Sequence, residues 1–241
     1  ASECVSDPAS ALEVNSVYTS RLVQSSIKNG VAQFLYISTV HVYSESLQGV
    51  ISENTCPVNV HPYASSHKAA EDVVSYAHKQ GLINGIVFRL SNGFGAPVHN
   101  TANCWKLFVN DLCMQSVRDR RLVLHSDGMQ CRNFIPISEV CNIINHLVCK
   151  QLLNNEDNYS MPINVGGEQS YRILEMAKLI QDRSYQLFGY RPPISKLKNT
   201  NDSSRIMLDY KIDTLSSLGY TFQYSIEDEI ELLLKYCHAQ L

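Results

Sequence analysis

The hydrophobic and polar residues of this chain follow helical and buried-strand patterns in turn. A first helix is predicted from the N-cap residue Asp7 and from Pro8, through apolar residues at helical spacing, to the stop signal Asn29-Gly30. The next run, residues 33–37, is apolar without polar alternation, which is typical of a parallel strand covered on both faces. A helix followed by a buried strand indicates an α/β fold.

The same alternation continues to about residue 150. It predicts helices at residues 65–79, 105–117 and 138–150, and strands at residues 85–90 and 121–124. The helix at 138–150 has the clearest pattern, because Val140, Ile143 and Leu147 recur at helical spacing behind Ser138, the expected cap. We therefore expect a first domain over residues 1–150.

Beyond Lys150 the alternation is looser. It predicts a short strand near 161–165, a helix at 173–188, a polar stretch at 196–204 and a last helix from 226 to about 238. We expect residues 151–241 to form mainly a small C-terminal substrate-binding lobe.

Composition excludes several classes of function. The chain has 241 residues, 44% of them apolar, and a net charge of −3 from 20 basic and 23 acidic residues. These charges are dispersed and form no basic stripe, so nucleic acid is not an expected partner. No apolar run approaches the roughly 20 residues of a membrane span, and the first residues lack signal-peptide character. We expect a cytoplasmic protein without membrane contact.

The eight cysteines are scattered and form no CxxC pair, which indicates reduced thiols. His146 and Cys149 share a helix face, which is compatible with a zinc site, but no second ligand pair accompanies them. We expect structural burial and no bound metal.

Three segments carry candidate chemistry, namely YISTVHVYS (36–44), HPYASSHKAAE (61–71) and FRLSNGFGAP (88–97). In the first, the strand delivers Ser38 and Thr39 at its carboxyl end, where a hydroxyl group is placed to bind a substrate oxygen. The alternative is that both residues only satisfy backbone groups in a turn.

In the second segment, Tyr63, His67 and Glu71 are spaced by four and share one helix face. A phenol there is a candidate acid or base, although its ordinary pKa of about 10 requires a neighbouring positive charge for proton abstraction near neutral pH. The alternative is an ordinary amphipathic helix with Tyr63 packed at its start.

Together with PASALEVNSVYTSRLVQSS (8–26), QCRNFIPISEV (130–140) and INVGGEQSYRILE (163–175), these segments resemble the extended short-chain dehydrogenase/reductase family of nucleotide-sugar epimerases, dehydratases and reductases. The likeness covers nearly the whole chain, with six motifs in order. It implies a Rossmann-like, doubly wound parallel sheet with a small C-terminal substrate lobe. It also implies NAD or NADP as cofactor, a nucleotide-diphosphate sugar as substrate, and a homodimer.

The resemblance also implies roles for individual residues. Catalysis would involve Tyr63, which deprotonates a sugar hydroxyl, with Thr39 and His67 beside it. Cofactor binding would involve Asn15, Ser38, Tyr63, His67 and Leu90. Substrate binding would involve Thr39, with Asn92 and Arg132 at the diphosphate, for which a guanidinium is a natural bidentate partner.

Two features depart from the family pattern. The family has Lys four residues after the catalytic Tyr, whereas this chain has His67, and Lys68 is rotated by about 100° around the helix. A neutral imidazole provides no fixed charge at pH 7. In addition, no glycine-rich fingerprint for a dinucleotide occurs, so we expect an N-terminally incomplete domain that lacks its first βαβ portion.

The expected function is NAD(P)-dependent modification of a nucleotide-activated sugar, by an epimerase or a 4-keto reductase. A dehydratase is less favoured, because Val40-His41 follow Thr39 where dehydratases of the family carry an acidic pair. The alternative is a catalytically impaired or truncated homologue that acts as a binding or partner protein.

Overall fold

The computed structural model describes residues 2–99, 101–149, 162–196 and 206–240. Its helices are α1 (Ser2–Ser6), α2 (Pro8–Leu12), α3 (Tyr18–Lys28), α4 (Pro62–Lys79), α5 (Phe108–Arg118), α6 (Ile137–Cys149), α7 (Ile173–Phe188), α8 (Asp213–Ser217) and α9 (Ile226–Ala239). Its strands are β1 (Gln33–Thr39), β2 (Gly49–Ile51), β3 (Asn84–Leu90), β4 (Asn92–Phe94), β5 (Leu122–Leu124), β6 (Cys131–Pro136), β7 (Ile163–Val165), β8 (Ser170–Arg172), β9 (Ile194–Lys196) and β10 (Leu208–Tyr210). A π-helical segment, Glu13–Val17, joins α2 to α3. Among the described helices, none is long and apolar enough to cross a bilayer.

The chain divides into two compact units, each built from three segments. The first unit comprises Ala1–Ser91, Asn145–Gly166 and Tyr210–Tyr220, and the second comprises Asn92–Ile144, Gly167–Asp209 and Thr221–Leu241. The domains expected from the sequence, residues 1–150 and 151–241, stay a prediction. Contacts distant in the sequence produce this interleaved division, which hydrophobic periodicity does not report.

The first unit contains a parallel sheet in the order β1-β3-β7. Thr39 lies beside Leu90 in the register, and Leu90 lies beside Val165, so the carboxyl ends of the three strands meet at one edge. The inner strand β3 is buried on both faces, with Ile86 and Val87 almost inaccessible to solvent. The α/β fold with parallel strands is confirmed, and its carboxyl edge is where open sheets of this type bind ligands.

Helix α4 packs closely on this sheet. Its apolar side joins a cluster formed by α3, β1 and β3, with the buried members Val23, Val74, Ala77, Ile83 and Val87. A Cβ atom added at Gly85 would lie 2.9 Å from the Val74 carbonyl oxygen, so the glycine permits the close approach of helix and strand. Helix α4 is thereby held close to the sheet that contains β1, the strand that carries Ser38 and Thr39.

A buried ion pair joins α4 to the sheet. The guanidinium of Arg89 donates to the Glu71 carboxylate at 2.7 Å and 3.0 Å, and both side chains are at least 96% buried. The Ser38 hydroxyl donates to the same carboxylate at 2.6 Å, and the Arg89 guanidinium lies 4.6 Å from the centre of the Tyr43 ring. Burial lowers the pKa of Arg89, but Glu71 and Tyr43 outweigh it and leave the pKa raised.

A second set of buried hydrogen bonds extends this network to β7. The hydroxyls of Tyr43 and Tyr210 both donate to the Asn164 amide oxygen, at 2.7 Å and 2.9 Å. The Tyr210 hydroxyl also lies 2.6 Å from the Arg89 carbonyl oxygen. All three strands of the sheet and helix α4 are thus linked by polar groups that have partners, as buried polar groups require.

The second unit contains the sheet β4-β6-β8, in which β6 is parallel to β4 and antiparallel to β8. Its core lies between this sheet and helices α5, α7 and α9, and includes Leu112, Phe134, Met176 and Leu233. The Asn133 amide group exchanges two hydrogen bonds with the Gly167 backbone, at 2.8 Å and 2.9 Å. These bonds fix the loop before β8 against β6.

Most predicted elements are present, with shifted ends. The Asp7 cap accepts from the Ser10 N–H at 3.0 Å, and helix 173–188 has the predicted bounds. Helix α4 begins at Pro62 instead of residue 65, because the His61 imidazole accepts the Tyr63 N–H and caps the helix. Lys150, Met161 and residues 197–204, which belonged to predicted elements, lie outside the described residues.

The predicted cap at Ser138 is wrong. Helix α6 begins at Ile137, and the Ser138 hydroxyl donates to the Glu229 carboxylate at 2.6 Å. No element was predicted between residues 124 and 138, yet Cys131–Pro136 forms strand β6. The polar residues Arg132 and Asn133 conceal this strand in the sequence, because they interrupt its apolar pattern.

The ion pair gives a test of the first unit. Replacing Glu71 with Gln leaves the Arg89 charge buried without a counter-ion, so the free energy of unfolding is expected to fall by about 3–5 kcal/mol in urea denaturation. The matched control is Asp72→Asn, since Asp72 pairs with Lys68 at the exposed surface of the same helix. The control should change the free energy of unfolding by about 1 kcal/mol or less. Equal effects of the two substitutions would contradict this interpretation.

Candidate active site

Thr39 and Tyr63 meet at the carboxyl edge of the first unit's sheet. Thr39 ends β1 and is 6% exposed, and its hydroxyl oxygen accepts the His41 N–H at 3.2 Å. A hydroxyl has one hydrogen to donate, and this contact leaves that hydrogen available. Tyr63 lies in the first turn of α4, and its phenol interacts with the Thr39 side chain. The predicted catalytic pair is therefore brought together.

Burial dominates the acidity of Tyr63. Removal from water raises the pKa of the Tyr63 phenol, the Thr39 interaction lowers it, and Cys4 in α1 raises it further. The net pKa is raised, because burial disfavours the charged phenolate. Tyr63 consequently keeps its proton at neutral pH.

His67 lies one turn further along α4. Its ring meets the Tyr63 ring edge-on, with the centroids 4.6 Å apart. Its Nδ1 atom lies 2.8 Å from the Tyr36 hydroxyl. Burial lowers the pKa of His67, and the Glu71 carboxylate opposes this without reversing it, so the imidazole is neutral at pH 7.

Lys68 does not take the place of the family lysine. Its ammonium group forms an ion pair with Asp72 one turn along the helix. This agrees with the predicted rotation of about 100° away from the face that carries Tyr63 and His67.

Asn15 and Ser38 both form hydrogen bonds with residues of α4. The Asn15 amide donates to the Ser66 hydroxyl at 3.0 Å, and that hydroxyl donates to the Tyr63 carbonyl oxygen, so Asn15 braces the turn that carries Tyr63. The Ser38 hydroxyl is 4% exposed and donates to Glu71. Leu90 ends β3 beside Thr39. The predicted cofactor-binding roles of these residues stay predictions.

Asn92 and Arg132 belong to the second unit, on the paired strands β4 and β6. The Asn92 amide donates to the Asn133 carbonyl oxygen at 2.8 Å, and the Arg132 guanidinium donates to the Gln130 amide oxygen at 3.2 Å. Burial lowers the pKa of Arg132 from its ordinary value. A partly buried guanidinium of this kind is suited to a phosphate group, and its predicted role in substrate binding stays a prediction.

The second unit also holds a cavity of about 430 Å³. Aromatic residues and two carboxylates line it, including Tyr171, Phe222, Tyr224, Glu168 and Glu227. Among the described residues, no basic side chain lines this cavity, so it offers nothing to neutralise a diphosphate. The sequence analysis did not predict it, because its lining residues are far apart in the chain.

Tyr36 is a further residue near the site that the sequence did not predict. Tyr36 and Ser38 are two residues apart on β1 and therefore point to the same face of the sheet, toward α4. Burial, with the Glu71 and Tyr63 charges, raises the pKa of Tyr36. The apolar run 33–37 suggested that Tyr36 only packs in the core. The signal that could have identified it is the two-residue period of a strand, which places Tyr36 on the same face as Ser38.

Comparison with known proteins gives one family. The sequence model of the NAD dependent epimerase/dehydratase family matches residues 1–166. The chain is 29% identical over 154 residues to mouse dTDP-D-glucose 4,6-dehydratase, covering 62% of this chain and 42% of that protein. It is 27% identical over 201 residues to UDP-glucuronic acid decarboxylase 1 of Xenopus tropicalis, covering 81% and 44%. The chain thus spans less than half the length of these relatives.

Solved structures share the fold. The UDP-glucuronic acid 4-epimerase of Bacillus cereus, in complex with UDP-glucuronic acid and NAD, has a TM-score of 0.74 at 22% identity and covers 94% of this chain and 68% of its own. RMD from Pseudomonas aeruginosa, complexed with NADPH, has a TM-score of 0.79 at 21% identity, with coverages of 99% and 78%. At these identities the likeness establishes the fold.

The neutral state of His67 predicts a pH dependence of stability. The pKa of His67 is lower in the folded state than its unfolded value of about 6.5. The neutral imidazole therefore contributes its full share to the free energy of unfolding above that pH. The free energy of unfolding should therefore fall as the pH decreases through the folded pKa. The variant His67→Gln should lack this component in urea denaturation between pH 8 and pH 5, whereas His125→Gln, at an exposed site, should retain it. An unchanged pH profile in His67→Gln would argue against a buried neutral imidazole.

Proposed function

The chain belongs to the NAD dependent epimerase/dehydratase family, and we propose that it modifies a nucleotide-activated sugar by hydride transfer. The single observation that carries this proposal is the pairing of Thr39 and Tyr63 at the carboxyl edge of the sheet. A hydroxyl and a phenol placed together there are suited to bind one sugar oxygen and to move its proton.

The residues at this edge fit one end of a nicotinamide cofactor, NAD or NADP. Bound there, such a cofactor supplies the hydride acceptor or donor. The Tyr63 phenol and the His67 imidazole offer hydrogen-bond donors for the nicotinamide ribose, and Asn15 supports the turn that carries Tyr63. The sequence contains no glycine-rich turn for a pyrophosphate, so we assign these residues to the nicotinamide half only.

The protonated state of Tyr63 favours one direction of reaction. A phenol that keeps its proton is prepared to donate it to a carbonyl oxygen, while hydride adds to the carbonyl carbon and gives a secondary alcohol. Thr39 donates a hydrogen bond to the same oxygen. We therefore favour reduction of a keto sugar, either as a complete 4-keto reductase reaction or as the second half of an epimerisation.

Elimination of water has less support. After Thr39 the chain has Val40, which is 2% exposed, and His41, so no carboxylate follows the Thr39 hydroxyl directly. A dehydratase needs an acid and a base for its elimination step, and Tyr63 alone does not supply both.

The substrate class is a nucleotide-diphosphate sugar. Arg132 and Asn92 on β6 and β4 are the residues that we assign to the diphosphate, since guanidinium binds phosphate oxygens in bidentate geometry. Relatives act on dTDP-glucose or UDP-glucuronic acid according to their names, which supports this class.

A second candidate function is nucleotide-sugar binding without turnover. The observation that favours it is His67, which stands where the family has lysine and is neutral at pH 7. Without a fixed positive charge, Tyr63 lacks the group that would lower its pKa for proton abstraction.

We further propose a cytoplasmic homodimer. The described cysteines other than Cys149 carry free thiols, as a reducing compartment favours. Apolar side chains on the first helical segments are exposed, among them Val14 at 56%, Leu22 at 59% and, on α4, Tyr76 at 65%. Exposed apolar surface of this kind supports an interface with a second copy.

The catalytic assignment is tested by Tyr63→Phe. In the natively expressed protein, supplied with NADPH or NADH and a UDP-4-keto sugar, the substitution should lower kcat by a factor of about 10²–10⁴. Affinity for UDP, measured by calorimetry, should change by no more than a few fold. The control Tyr185→Phe removes the hydroxyl of an exposed tyrosine on α7 and should leave kcat unchanged.

The same assay separates the two candidate functions. Turnover in the wild type that disappears in Tyr63→Phe supports the enzyme. Tight UDP-sugar binding with no cofactor oxidation in the wild type would support the binding protein and refute the hydride transfer.

The dimer is tested by Leu22→Arg, which places a charge on the exposed apolar side of α3. Sedimentation velocity should show a shift from dimer to monomer, with a loss of affinity of at least about tenfold. Val60→Arg is the control, because Val60 is 88% exposed and lies outside these helices. A wild-type protein that sediments as a monomer would refute the proposal.

A further inference from the structure

Tyr36 and His67 form a hydrogen-bonded pair that joins β1 to α4. The Tyr36 hydroxyl lies 2.8 Å from His67 Nδ1, and their ring centroids are 5.9 Å apart. Both groups are largely removed from solvent within the first unit, between β1 and α4. The pair therefore lies one helical turn after Tyr63, on the face of α4 that carries the proposed site.

The direction of this hydrogen bond follows from what each group needs. Within the described residues, neither Tyr36 nor His67 makes another side-chain hydrogen bond. If the imidazole donated from Nδ1, the partly buried Tyr36 O–H would have no acceptor among the described residues, which is unfavourable. If Tyr36 donates to Nδ1, its hydrogen is satisfied and the imidazole nitrogen acts as acceptor. The second arrangement is the more stable one.

Donation by Tyr36 selects one form of the neutral imidazole. A neutral histidine carries a hydrogen on one nitrogen and a lone pair on the other. When Nδ1 accepts, Nε2 must carry the hydrogen. His67 then has one N–H donor that is not used by Tyr36, on a ring whose centroid lies 4.6 Å from that of Tyr63.

We propose that Tyr36 is a positioning residue that holds His67 as its Nε2–H tautomer, so that a neutral N–H donor replaces the lysine of the family. The donor is directed to an oxygen acceptor at the carboxyl edge of the sheet, either the Tyr63 phenol or a hydroxyl of a bound cofactor ribose. This role rests on the proposed function, whereas the tautomer itself does not.

A purely packing role for Tyr36 would not account for the geometry. The ring of Tyr36 already contacts the apolar cluster of Val23, Val74 and Val87, and a phenylalanine would fill that space equally well. The hydroxyl adds only the bond to His67. Tyr36→Phe therefore removes one hydrogen bond and preserves the packed ring.

The decisive measurement is the tautomer of His67 by NMR on protein with ¹⁵N-labelled histidine. In the wild type near pH 7.5, Nδ1 should give the shift of an unprotonated nitrogen and Nε2 that of a protonated one, with His67→Gln identifying the signals. In Tyr36→Phe, the ratio of the two tautomers should change by about fivefold. The control Tyr43→Phe removes another buried phenol, bonded to Asn164, and should leave the His67 pattern unchanged.

Activity provides the second readout. Tyr36→Phe should lower kcat for the keto sugar by about tenfold, because a displaced donor slows the reaction, and should leave KM nearly unchanged.

A protonated Nδ1 in the wild type, or an unaltered tautomer ratio in Tyr36→Phe, overturns the inference whatever the activity. The expected tautomers with no turnover in any variant would refute the proposed function and leave the tautomer assignment standing. A changed tautomer ratio with full kcat would refute the positioning role.

Discussion

The geometry of the proposed site depends on the buried ion pair between Glu71 and Arg89. Glu71 lies on α4, two turns after Tyr63, and Arg89 lies on the inner strand of the first unit's sheet. The same carboxylate accepts from Ser38 on β1, so one group fixes the helix against two strands. Because an unpaired charge in this position would be strongly unfavourable, the helix has little freedom to slide along the sheet. The pairing of Tyr63 with Thr39 follows from this constraint.

This interaction also means that the placement of α4 does not depend on the residue at position 67. In this chain the orientation of α4 is fixed by Glu71, Arg89 and the braces from Asn15, and does not require a charged residue at position 67. Histidine in place of lysine at position 67 changes the charge next to Tyr63. An ammonium at position 67 would favour the phenolate of Tyr63, whereas a buried neutral imidazole does not. The alteration therefore concerns proton chemistry while the placement of the reacting groups is kept.

The sequence predicted the fold and the family but not the contacts that organise the site. Helix α7 was located to the residue because its apolar spacing is regular and Gly189 ends it in a left-handed conformation. Strand β6 was missed because Arg132 and Asn133 interrupt its apolar run, and the start of α4 was missed because histidine is a rare cap. The family prediction from the order of six motifs is confirmed by the match over residues 1–166.

The contact between Tyr36 and His67 was beyond sequence reasoning for a different reason. It joins residues 31 positions apart, and its existence depends on how closely α4 approaches β1, which the apolar pattern does not specify. The sequence indicates only that Tyr36 and Ser38 lie on the same face of β1, because side chains alternate along a strand.

One physical cause, removal from water, sets the protonation of all three groups at this edge. Burial raises the pKa of Tyr63 and of Tyr36, and it lowers the pKa of His67. In each case the neutral form is favoured, so the phenols remain donors and the imidazole remains neutral over the physiological range. A site composed of neutral hydrogen-bond donors stabilises negative charge that develops on a substrate oxygen without holding a charge of its own. Neutral donors of this kind are suited to hydrogen-bond the oxygen of a carbonyl group.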